Sequence, residues 1–169
     1  MSDLEATVAA LAAKVAEMED RLAIYQLLAT YGPAVDSGLS GVTADLWSEN
    51  GTYDWGMGKS EGSAAVGAMV EGDQHQGIIG GGSAHFLGTP HLDIHADRAV
   101  ATGYSQLLLF DKEQQGFRVW RVAANRWELE RTPQGWKVVK RVNRVLDGSE
   151  EARSLLRAGV ERGTGSPLE

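Results

Sequence analysis

An α+β fold is predicted for this chain by three features of its 169 residues. Apolar residues recur at helical spacing through the first part of the chain. Four strand-like runs, separated by turn formers, fill the stretch after residue 84. The helices come first and the antiparallel strands after them, which is the order of an α+β domain. The length suits one domain that buries about 70% of its unfolded surface, so folding needs neither a disulfide nor a metal.

Leu4, Val8, Leu11, Val15, Met18, Leu22 and Tyr25 alternate spacings of four and three, a heptad seam with Glu5, Lys14, Glu17, Glu19 and Asp20 off it. Such a segment either packs on a neighbouring subunit or folds onto its own domain, and the pattern favours the first. It divides the chain into a helical arm over 1–22, an α+β domain over 23–148 and a tail over 149–169. The helix is expected to continue through Ile24, Leu27, Leu28 and Tyr31, to kink or restart at Gly32-Pro33, and to end in "DSGLSG". "VTADLWSENGTYDWG" reads as a short helix, a turn at Asn50-Gly51 and a strand through Tyr53 and Trp55. "SAAVGAMVEGDQ" reads as a short helix. "QGIIGGGSAH" is rich in glycine and reads as a loop, and "EGDQHQGIIGGGS" as a lid.

The four later runs are "AHFLGTPHLDIH", "RAVATGYSQLLLF", "FRVWRVAANRWELER" and "GWKVVKRVNRVL", with turns at Asp97-Arg98, Asp111 to Gly116 and Thr132 to Gly135. In the third, strand alternation puts Phe117, Val119, Ala123, Trp127 and Leu129 on one face, with Asn125 among them. "SEEARSLLRAGV" reads as a last short helix, after which "ERGTGSPLE" frays.

Composition narrows the function. The net charge of −7 argues against a nucleic-acid partner and against an anionic membrane surface. There is no cysteine, so no thiol nucleophile and no cysteine-ligated zinc. No apolar run approaches the ~20 residues that span a bilayer. "MSDLEATVAA" lacks the basic and apolar regions of a secretory signal. A soluble cytoplasmic domain with a small-molecule or protein partner is expected.

"GGSAHFLGTPHLDIHAD" holds three of the four histidines, His85, His91 and His95. In a strand His91 and His95 share a face but stand about 13 Å apart, too far to share an ion, and no metal site is expected. His95 adjoins a turn and reads as solvated, His91 as a strand-edge residue. His85 enters the apolar part of the domain beside Phe86 and Leu87. Alone it reads as structural. Asp36, at the end of a helix that looks buried, offers it a partner, and a carboxylate on one imidazole nitrogen leaves the other a usable base near neutral pH. Tyr31, Tyr53 and Trp55 either line a pocket or fill the core. Asn125 is a pocket hydrogen-bonder or a sheet-edge residue. Arg121, Arg131, Arg141 and Arg144 read mostly as a solvated face, with one free to bind an acidic substrate group. "GMGKS" fails as a phosphate loop because Tyr53 stands where its first glycine belongs.

Together "LAIYQLLATYGPAVDSG", "LWSENGTYDW", "AHFLGTPHLDIHADRAVATGY" and "NRWELERTPQGWKVVKR" resemble the SnoaL-like branch of the nuclear-transport-factor-2-like superfamily over about residues 18 to 147. The resemblance implies a cone, a curved antiparallel sheet wrapped by helices around an apolar pocket. It extends to scytalone dehydratase, the bile-acid dehydratases and hexachlorocyclohexane dehydrochlorinase. It implies a catalytic pair at Asp36 and His85, with Tyr31 beside them. It implies substrate contacts at Asn125, at Tyr53 and Trp55, and at an arginine for which Arg144 is the candidate; Phe86 joins them as the neighbour of His85. The activity it implies is that of a cofactor-free lyase acting on a hydrophobic, ring-bearing substrate of the steroid, polyketide or lignin type. An isomerase, a non-catalytic binding protein and a structural subunit of a ring-hydroxylating dioxygenase are the alternatives. A homo-oligomer, by resemblance a trimer, is expected.

Overall fold

The computed structural model describes residues 3–161. Its elements run α1 (Asp3–Asp36), α2 (Ser40–Asp45), β1 (Trp47–Asp54), β2 (Lys59–Glu61), α3 (Ser63–Glu71), α4 (Asp73–Gly81), β3 (Ser83–Leu87), β4 (His91–His95), β5 (Arg98–Asp111), β6 (Gly116–Thr132), β7 (Gly135–Val145) and α5 (Glu150–Val160). The strands form one sheet in the order β2-β1-β7-β6-β5-β3, with β4 also paired to β5. All neighbours are antiparallel except β1 and β7, which run parallel.

The first helix carries two apolar stripes. Ile24, Leu28, Tyr31 and Val35, at spacings of four, three and four, are buried against the sheet and join Trp47, Tyr53, Val66, Val70, Trp127 and Val138 in the core. The N-terminal seam, Leu4, Val8, Leu11, Val15, Met18 and Leu22, faces outward and is 54–72% exposed. Asp20 marks the change of role: its carboxylate receives both guanidinium nitrogens of Arg131 at 2.6 Å and the indole N–H of Trp136 at 3.1 Å, clipping the helix to the sheet. Arg131, read as part of a solvated face, is thus a structural tie.

Gly32-Pro33 does not break this helix. Pro33 falls in its last turn, where few hydrogen bonds remain to be lost. The helix closes with Gly38 at φ +70°, its N–H bonded to Val35 O (3.2 Å) and that of Leu39 to Ala34 O (2.9 Å), the paired pattern of a Schellman end. Gly32 serves packing instead. A Cβ there would overlap the carbonyl oxygen of His85, so the glycine lets α1 press on β3.

Four further expectations are corrected. Asn50-Gly51 is no turn. Its flanks pair with β7 and β2 rather than with each other, and it forms an irregularity inside β1, where the register with β7 shifts between Trp47 and Thr52. The glycine-rich "QGIIGGGSAH" supplies helix α4, anchored by Gln76 Nε2 to Val70 O (2.7 Å) and His75 Nε2 to Val35 O (2.9 Å), so tertiary contacts outweigh poor helix propensity. "AHFLGTPHLDIH" is two strands, β3 and β4, which lie end to end along one edge of β5 with residues 88–90 between them. The single face assigned to the β6 run is broken at Trp120. Leu107 pairs with Arg121 but Leu108 with Val119, and this one-residue bulge exchanges the faces. Phe117 and Val119 therefore lie exposed, at 63% and 54%, while Ala123, Asn125, Trp127 and Leu129 are buried. The tail forms α5, capped by the Ser149 hydroxyl and set against β5 and β6; the segment expected to fray lies outside the described residues beyond Glu161.

Gly32→Ala is expected to destabilise the fold by about 1–3 kcal/mol, as overpacking does, and to displace β3 from α1. Urea denaturation reads the first effect and the amide NMR shifts of residues 83–87 the second.

Candidate active site

Asp36 is the last residue of α1, and β3 runs past it. Its carboxylate accepts three hydrogen bonds from that strand: the Ser83 hydroxyl at 2.9 Å, the His85 backbone N–H at 2.6 Å, and His85 Nδ1 at 2.7 Å. Burial works against the Asp36 charge, but the ring and backbone hydrogen bonds of His85 and the hydroxyl of Ser83 outweigh it and hold the carboxyl below its ordinary range. An ionised carboxylate only accepts, so the proton of a neutral His85 ring sits on Nδ1, and the lone pair is on Nε2, the edge away from Asp36. Both side chains are about four-fifths buried, at 18% and 21% exposure.

His85 forms part of the wall of a cavity of ≈ 320 Å³, within the ~300–1,000 Å³ of small-molecule pockets. Leu87, Leu107, Met69, Ile78, Trp55 and Trp120 supply much of its apolar lining. Tyr31 stands at the centre of an aromatic cluster, its ring 5.6 Å from Trp127, 5.8 Å from Trp47 and 6.4 Å from both Tyr53 and His85, all edge-on. Burial, with the neighbouring Tyr53, pushes its hydroxyl far above the ordinary tyrosine value, and the charge of Arg141 offsets this only in part. Tyr31 therefore keeps its proton and can donate it in a hydrogen bond. Tyr31 and Asp36 share no helix face; His85 reaches both across the gap between α1 and β3.

The structure brings together Asp36, His85, Tyr31, Tyr53 and Trp55, and separates three other candidates from the cavity. Phe86 is 58% exposed, because strand alternation turns it outward between His85 and Leu87. Arg144 is held outside by both oxygens of Asp54 at 2.8 Å and by Glu151 at 2.5 Å, an ion-pair clip between β1, β7 and α5. Asn125 is fully buried but sits one layer behind: its Oδ1 accepts from Arg141 and Asn143, and its Nδ2 donates to Ser105 Oγ at 2.7 Å. It borders a second, smaller cavity of ≈ 180 Å³ under residues 87–90.

Three wall residues were not singled out from the sequence. Arg141 and Arg121, grouped there with a solvated face, both line the cavity. Arg141 is 2% exposed and its Cζ lies 3.9–4.4 Å from the ring centres of Trp127, Tyr31 and Tyr53. Alternation from Trp136 and Val138 turns Arg141 outward; an extra residue in β7, between the pairs Leu129–Val138 and Glu128–Lys140, brings it inward with Asn143. His75, on α4, is buried with its ring 5.4 Å from that of His85. Nothing marked it, because its segment looked like a loop. Among the described residues no three His, Asp or Glu side chains gather as a metal site. His91 and His95 lie on β4, outside the cavity lining, and His95 Nε2 meets Asp93 Oδ2 at 3.1 Å.

Asp36→Asn sets an amide N–H or a neutral oxygen against three donors and is expected to cost about 1–3 kcal/mol at pH 7. The depressed carboxyl of Asp36 contributes stability above its ordinary pKa of 3.8, and that contribution disappears as pH falls through the folded-state value. The gap between wild type and variant should therefore close below about pH 4, as read by urea denaturation across the acid range.

No curated protein matches the chain. Among solved structures it is similar to a nuclear-transport-factor-2-like protein with a cystatin-like fold from Novosphingobium aromaticivorans, 41% identical over 86% of this chain and 94% of that one, with a TM-score of 0.83. It shares its fold with a hexachlorocyclohexane dehydrochlorinase from Novosphingobium barchaimii (20% identity, 79% and 90% covered, TM-score 0.66). The same holds for a nuclear-transport-factor-2-like protein of Salmonella enterica (12% identity, 89% and 99% covered, TM-score 0.62). Residues 16–142 match the SnoaL-like domain, and the chain belongs to that family within the nuclear-transport-factor-2-like superfamily.

Proposed function

We propose that this chain is a cofactor-independent lyase of the dehydratase type, in which His85 removes a carbon-bound proton from a ring-bearing substrate. The observation that carries the reading is the buried Asp36–His85 hydrogen bond in the wall of an apolar cavity. The fold family includes a dehydrochlorinase, by its name an elimination enzyme.

The chemistry follows from the geometry. His85 Nε2 takes a proton from a carbon flanked by a carbonyl or aryl group, and Asp36 stabilises the imidazolium. Tyr31, and beside it Tyr53, hydrogen-bonds the carbonyl oxygen where negative charge develops. The C–H electron pair becomes the new double bond as the β-carbon releases its hydroxyl. The imidazolium gives its proton to that hydroxyl, water leaves, and His85 returns to its neutral form. Without a β-leaving group the same base returns the proton to another carbon, and the product is an isomer.

The first half-reaction has a direct assay. In D₂O the wild-type chain is expected to accelerate deuterium exchange at the benzylic carbon of 2-tetralone, followed by NMR. His85→Ala and Asp36→Asn should slow it by about 10²–10⁴-fold, and Tyr31→Phe by less. Chelator should leave it unchanged. If the wild type exchanges no faster than His85→Ala while the ketone still binds, the protein is a binder and not a base catalyst.

A further inference from the structure

Proton abstraction leaves unused two charges in the cavity wall. Arg141 Nε and Nη2 donate to Asn125 Oδ1 at 3.2 and 2.9 Å, and Nη1 is buried with no hydrogen-bond partner. Arg121 Nη2 donates to Trp55 O and Asn143 Oδ1, both at 2.8 Å, and its Nε is likewise buried and unpartnered. Among the described residues neither guanidinium meets a carboxylate, although Arg21, Arg126, Arg131, Arg144, Arg153 and Arg157 all do. Of the carboxylates near the cavity, Asp36 is taken by His85 and Ser83, and Asp73 lies exposed on the first turn of α4.

A buried guanidinium with a missing hydrogen bond and no counter-charge is costly, and an unpaired N–H costs more when it is charged. Aromatic faces soften the cost for Arg141 but cannot accept in the plane of the guanidinium. Burial lowers the Arg121 pKa; Tyr53 opposes it, and the positive charges of Arg141 and Arg144 add to it. We infer that the cavity is built for an organic anion, a ring-bearing carboxylic acid whose carboxylate docks on Arg141 and Arg121. Tyr31 touches both ends of this arrangement, 6.4 Å from the His85 ring and 4.2 Å from Arg141 Cζ. The guanidinium and the base thus flank the same ring in one cavity wall, within reach of one ring-bearing acid. The inference deepens the lyase reading by naming its substrate class, but it concerns binding alone and stands or falls without turnover.

The test is a matched pair of inert probes, 2-naphthoate and 2-naphthamide, titrated into the full chain. Trp55 and Trp120 in the cavity wall supply the fluorescence signal. The acid is expected to bind at least about tenfold tighter than the amide at low salt, as a charge-assisted contact allows. Arg141→Met should abolish that preference and Arg121→Gln should reduce it. His85→Ala should keep it, even if tetralone exchange is lost. Equal affinity for acid and amide, or no binding of either, overturns the inference, and so does a preference that survives both arginine variants. If Arg141→Met fails to fold, Arg121→Gln and Arg141→Lys decide on the same readout.

Discussion

The site depends on one carboxylate at the wrong end of a helix. Carbonyl groups crowd the C-terminus of α1, and an anion there is disfavoured by the helix dipole. Asp36 is tolerated because β3 delivers three donors to it. The same field favours positive charge nearby, and both histidines of the cavity gather at that end. His85 lies on Asp36, and His75 donates to the carbonyl of Val35 one residue earlier. An imidazolium formed at His85 thus meets a carboxylate and a helix C-terminus together. The pairing also sets how close α1 and β3 must lie, which explains why residue 32 has no side chain.

Which side chains reach the cavity is decided by parity. On β3, period two sends His85 and Leu87 inward and Phe86 out. On β6 a single extra residue at Trp120 reverses the alternation, so that Arg121, and not Val119, faces the same side as Leu107. Without the bulge, an apolar residue would occupy the place of one of the two cations. The register of β6 against β5 is therefore a determinant of the cavity's charge as well as of its shape.

Much of this was legible in the chain and some could not be. The order of helices and strands, the helix stop at "DSGLSG", and the meeting of Asp36 with His85 follow from local pattern together with family resemblance. The misread elements share a cause. Asn50-Gly51 and "QGIIGGGSAH" carry strong local signals that tertiary pairing overrides: β7 and β2 claim the flanks of the first, and hydrogen bonds to α1 and α3 hold the second in a helix. The Trp120 bulge leaves no mark in composition, so extrapolating strand alternation through it placed Phe117 and Val119 on the wrong face. Arginine is usually a surface residue, and nothing local in the sequence marks Arg121 and Arg141 as exceptions. Only the folded chain distinguishes Arg144, closed off by Asp54 and Glu151, from Arg141 three residues earlier, enclosed by rings.

The charge distribution carries the last step. The chain as a whole is acidic, at −7, yet the cavity beside His85 holds two guanidiniums that meet no carboxylate among the described residues. Keeping them unpaired requires that the surrounding strands present neutral groups instead: Asn125 and Asn143 as acceptors, and Tyr31, Tyr53 and Trp127 as faces. Neutral partners orient a guanidinium without neutralising it. Such a shell holds positive potential in place for a visitor, and an apolar wall around it restricts the visitor to one that is largely hydrophobic. Charge, apolar surface and a base in one cavity wall define one kind of molecule, and the three features are set by different elements, β7 and β6, the aromatic cluster, and the α1–β3 junction.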